Sequence, residues 1–267
     1  MNLHQRRGLR YLTFSSLEPY PVFQAVVGRQ GGHSPPPWNS LNLGGTVGDD
    51  PDRVAQNKQK LLDVFGLRSE DLYEVWQVHS AKVIRVSGRE QKKKQLHQAD
   101  AVITDQPGTI LLMRFADCVP ILLYDPEHHV LGMAHAGWQG TVRHVARNTV
   151  QALSRAYGTA PEAVRAGIGP SIGPDHYQVG EDVIVRVKEA YPDTYRQMIV
   201  EEEGLVKLDL WQANRLDLEQ AGISSIENPR ICTACHNEAW YSHRAENGRT
   251  GRFGALFGLE KRIKNDR

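Results

Sequence analysis

Apolar positions along the chain alternate between strand-like clusters and helix-like spacing. Residues 22–29 read as a strand, followed by a Gly/Pro-rich loop over 31–37. Asp50-Pro51 then offers an N-cap with proline at the first helical position. Val54, Leu61, Leu62 and Phe65 recur at helical spacing and Gly66 supplies the stop. Residues 72–78 and 82–87 read as strands, and 91–98, with Lys92, Lys93 and Lys94, as a solvated loop. The centre is the most apolar part. Residues 101–104, 110–115, 119–124 and 130–134 are short apolar runs bounded by turn residues, the pattern of strands buried on both faces. Val142, Val145, Ala146, Thr149, Val150, Leu153, Ala156 and Tyr157 mark one face of a long helix that Gly158 ends. A second helix is expected over 181–190, a third from Asp209 as N-cap to Gly222, and a last strand over 253–259. Strands and helices do not alternate strictly, which favours α+β layers over a doubly wound sheet. With no internal repeat and no linker, residues 1–267 read as one domain.

Composition narrows the partners more than the fold. Lys and Arg number 32 against 31 Asp and Glu, a net charge of +1. That balance gives no electrostatic case for a nucleic acid or a membrane surface, so a small molecule in a local pocket is expected. The first twenty residues carry Arg6, Arg7 and Arg10 without the apolar stretch of a secretory signal. With only three cysteines, the chain reads as cytoplasmic and reduced, its thiols free or metal-bound. Nothing marks an oligomer interface, and monomer is the default expectation.

The candidate chemistry sits at the ends of the core strands. His79 follows the strand read over 72–78, Cys118 lies between two buried strands, and His135 lies between a buried strand and the long helix. One thiolate and two imidazoles suit zinc, and three protein ligands leave a fourth position open, the pattern of catalytic sites. The same residues admit other readings. Cys118 could be a nucleophile activated by His135. His₂Cys is also the blue-copper set, with Met113 or Met133 as axial ligand. A buried cysteine and a hydrogen-bonded core histidine are the plainest alternative.

Other motifs carry less. Cys232-Thr-Ala-Cys235-His236 has the form of a haem-attachment motif but lacks an export signal, and no second Cys-x-x-Cys exists to complete a zinc knuckle. Gly167-Ile-Gly169-Pro-Ser-Ile-Gly173 misses the dinucleotide spacing and reads as a tight loop. His128-His129 reads as the cap of an exposed turn. Arg29, Arg244 and Arg252 lie near glycines, where backbone and guanidinium can approach a phosphate together; Arg249 reads as solvated.

Three segments strongly resemble the laccase-domain family: Ala99-Asp100-Ala101-Val102-Ile103-Thr104, Ala116-Asp117-Cys118-Val119-Pro120 and Ala134-His135-Ala136-Gly137-Trp138-Gln139-Gly140-Thr141. Further matches at Gln77-Val78-His79, Asn42-Leu43-Gly44, Ile168-Gly169-Pro170-Ser171-Ile172, Cys232-Thr233 and Thr250-Gly251-Arg252 extend it over nearly the whole chain. Members of that family have been called multicopper polyphenol oxidoreductases and purine nucleoside phosphorylases. The resemblance implies a single-domain α/β/β/α fold of the type shared with cytotoxic-necrotizing-factor toxins. It places the metal ligands on His79, Cys118 and His135, with Zn²⁺ or alternatively Cu²⁺. It also implies phosphorolysis of adenosine, inosine, guanosine and methylthioadenosine, and deamination of adenosine. Peptidoglycan editing and polyphenol oxidation are the alternatives. On this reading Asp117 is the candidate acid/base, Arg29, Arg244 and Arg252 neutralise phosphate, and Trp138 stacks on the purine. The chain departs from the family at Val27-Gly28, Ser80, Asp175-His176 and Ala245, none of them a metal ligand in this reading.

Overall fold

A computed structural model describes residues 1–87 and 96–260. Most of the polar stretch expected as a solvated loop, including Lys92, Lys93 and Lys94, lies outside the described residues.

Two six-stranded sheets stack face to face. The first runs β1 (Asn2–Arg6), β2 (Leu9–Thr13), β3 (Val22–Val27), β14 (Phe253–Leu259), β7 (Ile110–Phe115) and β4 (Leu72–Glu74). The second runs β13 (Ser225–Glu227), β10 (Arg165–Ile168), β8 (Val119–Asp125), β9 (Val130–Ala136), β6 (Ala101–Thr104) and β5 (Val83–Val86). A hairpin, β11 (Ile199–Glu202) with β12 (Leu205–Leu208), stands apart.

Helices cover both outer faces. α1 (Pro51–Phe65) packs Leu61 and Leu62 with Leu112 and Leu256 of the first sheet. α3 (Val145–Tyr157) and α5 (Leu210–Gln220) pack against the second, with α4 (Glu181–Ala190) beside them. The result is the layered α/β/β/α arrangement. It explains why the central strands read as unbroken apolar runs. In β8, Leu122 and Tyr124 face the core between the sheets while Ile121 and Leu123 face the helices. Period-two alternation is still present, but both partners are apolar.

Local chemistry sets the helix ends. The Asp50 side chain accepts from Asp52 N, Pro51 opens α1, and Gly66 closes it at φ 67°. Asp209 caps α5 by accepting from Gln212 N at 2.9 Å.

Four expectations need correction. The long helix starts later than read: α3 begins at Val145, and Val142 instead closes a separate short α2 (Trp138–Thr141), with His144 ahead of α3 held at φ 58° and its ring 2.8 Å from Asp217. Helical spacing does not register a single left-handed residue. Gly167 and Ile168 belong to β10, not to a loop; a Cβ on Gly167 would lie 2.7 Å from the Phe14 ring, so this glycine permits close packing. His129 is buried, bonded to Tyr124 Oη at 2.9 Å, whereas His128 sits at the turn against Asp125. The strand read over 72–78 stops at Glu74, and the chain then leaves the first sheet for the second.

Candidate metal centre and its cavity

That departure matters, because the chain passes between the sheets at the same rim more than once. His79 lies on the connection from β4 to β5, at φ 58°. Cys118 lies on the crossing from β7 to β8 and follows Asp117, which holds φ 82°. His135, near the end of β9, pairs with Pro120 of β8. A non-glycine residue at positive φ is strained, and here the strain sits at or beside two of the three expected ligands.

The three side chains meet. Cys118 Sγ is 3.8 Å from His79 Nε2, and one donor atom from each residue lies within 4.8 Å of the others. A tetrahedral zinc ion with nitrogen and sulfur ligands would hold such atoms about 3.6 Å apart. The donor set and its spacing therefore fit the ion. Gly137 keeps the cradle open, since a Cβ there would lie 2.7 Å from Cys118 Sγ and 3.1 Å from His79 Cδ2.

Asp100 organises the cluster. It is fully buried, and its Oδ1 accepts from His79 N at 3.0 Å and His135 Nδ1 at 2.9 Å. Its Oδ2 accepts from Ser80 N at 2.6 Å, Ser80 Oγ at 2.7 Å and Val78 N at 3.2 Å. One carboxylate thus fixes the loop that carries the first ligand and the ring of the third, leaving His135 Nε2 to face a metal. Burial opposes its ionisation, yet the bonds from His135 and Ser80 prevail and hold its pKa at about 2.

The three candidate ligands also act on one another. Burial resists a charge on Cys118, but the His135 and His79 rings outweigh it and lower the thiol to about 6. Burial likewise opposes protonation of His135, but the Cys118 charge and Asp100 raise it to about 9. As bare side chains they form a thiolate–imidazolium pair.

A cavity of about 750 Å³ opens over His79, Cys118 and His135. Trp76, Trp138 and Tyr177 supply aromatic wall, and Arg114, Arg244, Arg252 and His243 supply cationic or titratable groups. Burial, then the neighbouring Arg252 charge, lowers the His243 pKa and favours its neutral ring. Arg252 donates to Thr250 O and Gly251 O, and burial pushes its pKa down. Arg244 stacks over Tyr177, its guanidinium carbon 5.0 Å from the ring centroid, and donates to Gln178 O.

Two expected residues have other duties. Arg29 is not among the cavity-lining residues. Its guanidinium is buried over Tyr241 and donates to Asn39, Asn237 and Glu246, which satisfies all of its N–H groups. Asp117 lines the cavity, but Oδ1 accepts from Thr233 Oγ1 at 2.6 Å and Oδ2 from Arg244 N at 2.7 Å. It positions Arg244 rather than facing the cavity as a free acid. Met113 and Met133 lie in the core between the sheets, and neither lines the cavity.

Sequence reasoning missed roles for Asp100, His243 and Arg114. Asp100 stood in a quoted motif, but nothing in the string shows that its carboxylate turns toward a histidine 35 residues later. His243 lies next to Arg244, where its type alone could have drawn attention.

The model of the multi-copper polyphenol oxidoreductase laccase family matches residues 23–260. This chain belongs to that family. Proteins similar to it include a Deinococcus radiodurans protein named purine nucleoside phosphorylase, 38% identical over 242 residues, covering 90% of each chain. An Escherichia coli K12 protein named purine nucleoside phosphorylase YfiH is 33% identical over 245 residues, covering 91% of this chain and 96% of its own. Among solved structures, YlmD from Geobacillus stearothermophilus superposes with a TM-score of 0.90 at 31% identity, covering 97% of this chain and 98% of its own. Among the described residues, no helix is long and apolar enough to cross a membrane.

Proposed function

We propose that this laccase-family chain is a zinc-dependent purine nucleoside enzyme, cleaving adenosine, inosine, guanosine and methylthioadenosine with phosphate and deaminating adenosine. The observation that carries the reading is the convergence of His79, Cys118 and His135 at one cavity with aromatic wall and arginines. The names of the relatives point the same way. Zinc is favoured over copper because neither Met113 nor Met133 reaches the cavity to act as an axial thioether.

Zinc bound there would supply Lewis acidity close to the purine or the sugar. The protein's own groups do the rest. Trp138 and Tyr177 hold the base by its faces. Arg252, with Arg244 at the cavity edge, neutralises phosphate as it approaches the anomeric carbon. His243, whose lowered pKa favours the neutral ring, would take the proton of the attacking water in deamination and return it to the departing amine, the task that Asp117 is too engaged to perform. Asp100 keeps His135 in one orientation throughout.

Chromatography of adenosine incubated with the protein tests this. Adenine that requires phosphate, or inosine that does not, is expected from the wild type and not from Cys118→Ala. No product from the zinc-loaded wild type would overturn the reading.

The lowered pKa of Cys118 supports one second reading, a cysteine nucleophile paired with His135. That enzyme would work in chelator and die on alkylation, whereas a zinc enzyme is stopped by the chelator.

A further inference from the structure

Cys232 and Cys235 lie outside the cavity lining, and the chemistry above uses neither thiol. The fold brings them a third partner. The turn at Pro174–His176 places His176 Nδ1 3.8 Å from Cys232 Sγ and 3.6 Å from Cys235 Sγ, and the three donor atoms lie within 4.8 Å of one another. These are again the separations of a tetrahedral zinc shell, about 3.6 Å between sulfur and nitrogen. A sequence search for a second Cys-x-x-Cys cannot find this group, because its third donor is a histidine 56 residues upstream of Cys232.

The Cys232 sulfur is prepared for negative charge. Cys232 is buried, and its Sγ accepts from Gly173 N at 3.2 Å and from Cys235 N at 3.4 Å. Backbone N–H groups aimed at one sulfur stabilise a thiolate, and two thiolates side by side call for a cation. Cys235 and His176 are exposed, so an ion can enter from solvent and keep a water as fourth ligand.

We infer that His176, Cys232 and Cys235 form a second metal site, for Zn²⁺, that clamps the 173–177 turn to the 231–235 segment. The clamp reaches the cavity through backbone and side chain. Ser171 N donates to Ile231 O and Thr233 N to Ser171 O, Thr233 Oγ1 holds Asp117 beside Cys118, and Tyr177 of the clamped turn carries Arg244. The site lies outside the cavity lining, so its ion holds two wall segments in place and takes no part in the reaction.

Cobalt loading of Cys118→Ala tests the site without the first centre, since Cys232 and Cys235 are then the remaining cysteines. A sulfur-to-cobalt charge-transfer absorption is expected, and it should vanish in Cys118→Ala/Cys235→Ser. The zinc count of the wild type should be two per chain, falling to one in Cys235→Ser and in His176→Asn, both changes at exposed positions. A wild-type count of one, or no charge-transfer absorption in Cys118→Ala, would overturn the inference. So would a Cys232–Cys235 disulfide found by mass spectrometry in freshly isolated protein.

Discussion

Asp100 accepts from two ligand-bearing segments at once, and the centre depends on that single carboxylate. Asp100→Asn keeps the shape and loses the charge, so zinc affinity should fall roughly 10–100-fold, as for other partners of metal-bound histidines. Competition with a chromophoric chelator reads this directly, and an unchanged affinity would remove Asp100 from the account. Its pKa of about 2 also has a sign. A carboxyl lowered from its ordinary value stabilises the fold above pH 4, and that contribution of about 2 kcal/mol is lost as the pH falls toward 2. Asp100→Asn should therefore show a shallower loss of stability in that window, measured by urea unfolding. Cys118 predicts a different titration. In metal-stripped protein its alkylation, followed by peptide mapping, should rise with a midpoint at about pH 6, while burial and the neighbouring Cys232 push Cys235 up to about 11. A Cys118 midpoint near an ordinary thiol's would refute the thiolate–imidazolium pair. Among the arginines, Arg252→Ala should slow phosphorolysis by about 10–100-fold, equivalent to losing charged hydrogen bonds of 1.5–3 kcal/mol, and should spare phosphate-independent deamination. Equal loss of both activities would mean that Arg252 does not serve phosphate.

At the scale of elements, the sequence was most legible where one residue type has one local duty. Asp50, Pro51 and Gly66 bound α1, and Asp209 caps α5, as their types require. Removing the Asp209 cap, which also pairs with Arg230 at 2.8 Å, should cost about 1 kcal/mol in urea unfolding. Elements that draw their stability from neighbours were not legible. β1 is almost wholly exposed, and pairing with β2 makes it a strand; β13 is three residues long and exists by pairing with β10. Gly167 of β10 read as loop because packing against Phe14, not turn formation, requires the small residue. The three residues of the candidate centre were legible by type; Cys118 and His135 do lie at or near strand ends, whereas His79 lies on the connection beyond β4. Their partners were not: Arg29 and Arg252 both sit near glycines, yet only the fold shows one sealed under Asn237 and Glu246 and the other lining the cavity.

The whole molecule places the chemistry where its two sheets exchange chain. The connections that carry His79 and Cys118 cross one rim of the sandwich, so the centre is anchored in both sheets. Phe115 ends β7 beside that rim, its ring 5.4 Å from His135 and 5.8 Å from Phe253. Truncation of such a buried ring to alanine costs about 3–5 kcal/mol and here would also loosen the third ligand. The central claim is that catalysis at this rim needs the metal. It is tested most directly by stripping the protein with a chelator, assaying adenine release from adenosine and phosphate, and then restoring zinc. The account predicts no adenine from stripped protein, recovery on adding zinc, and no recovery in Cys118→Ala. Undiminished adenine release by the stripped protein would contradict it.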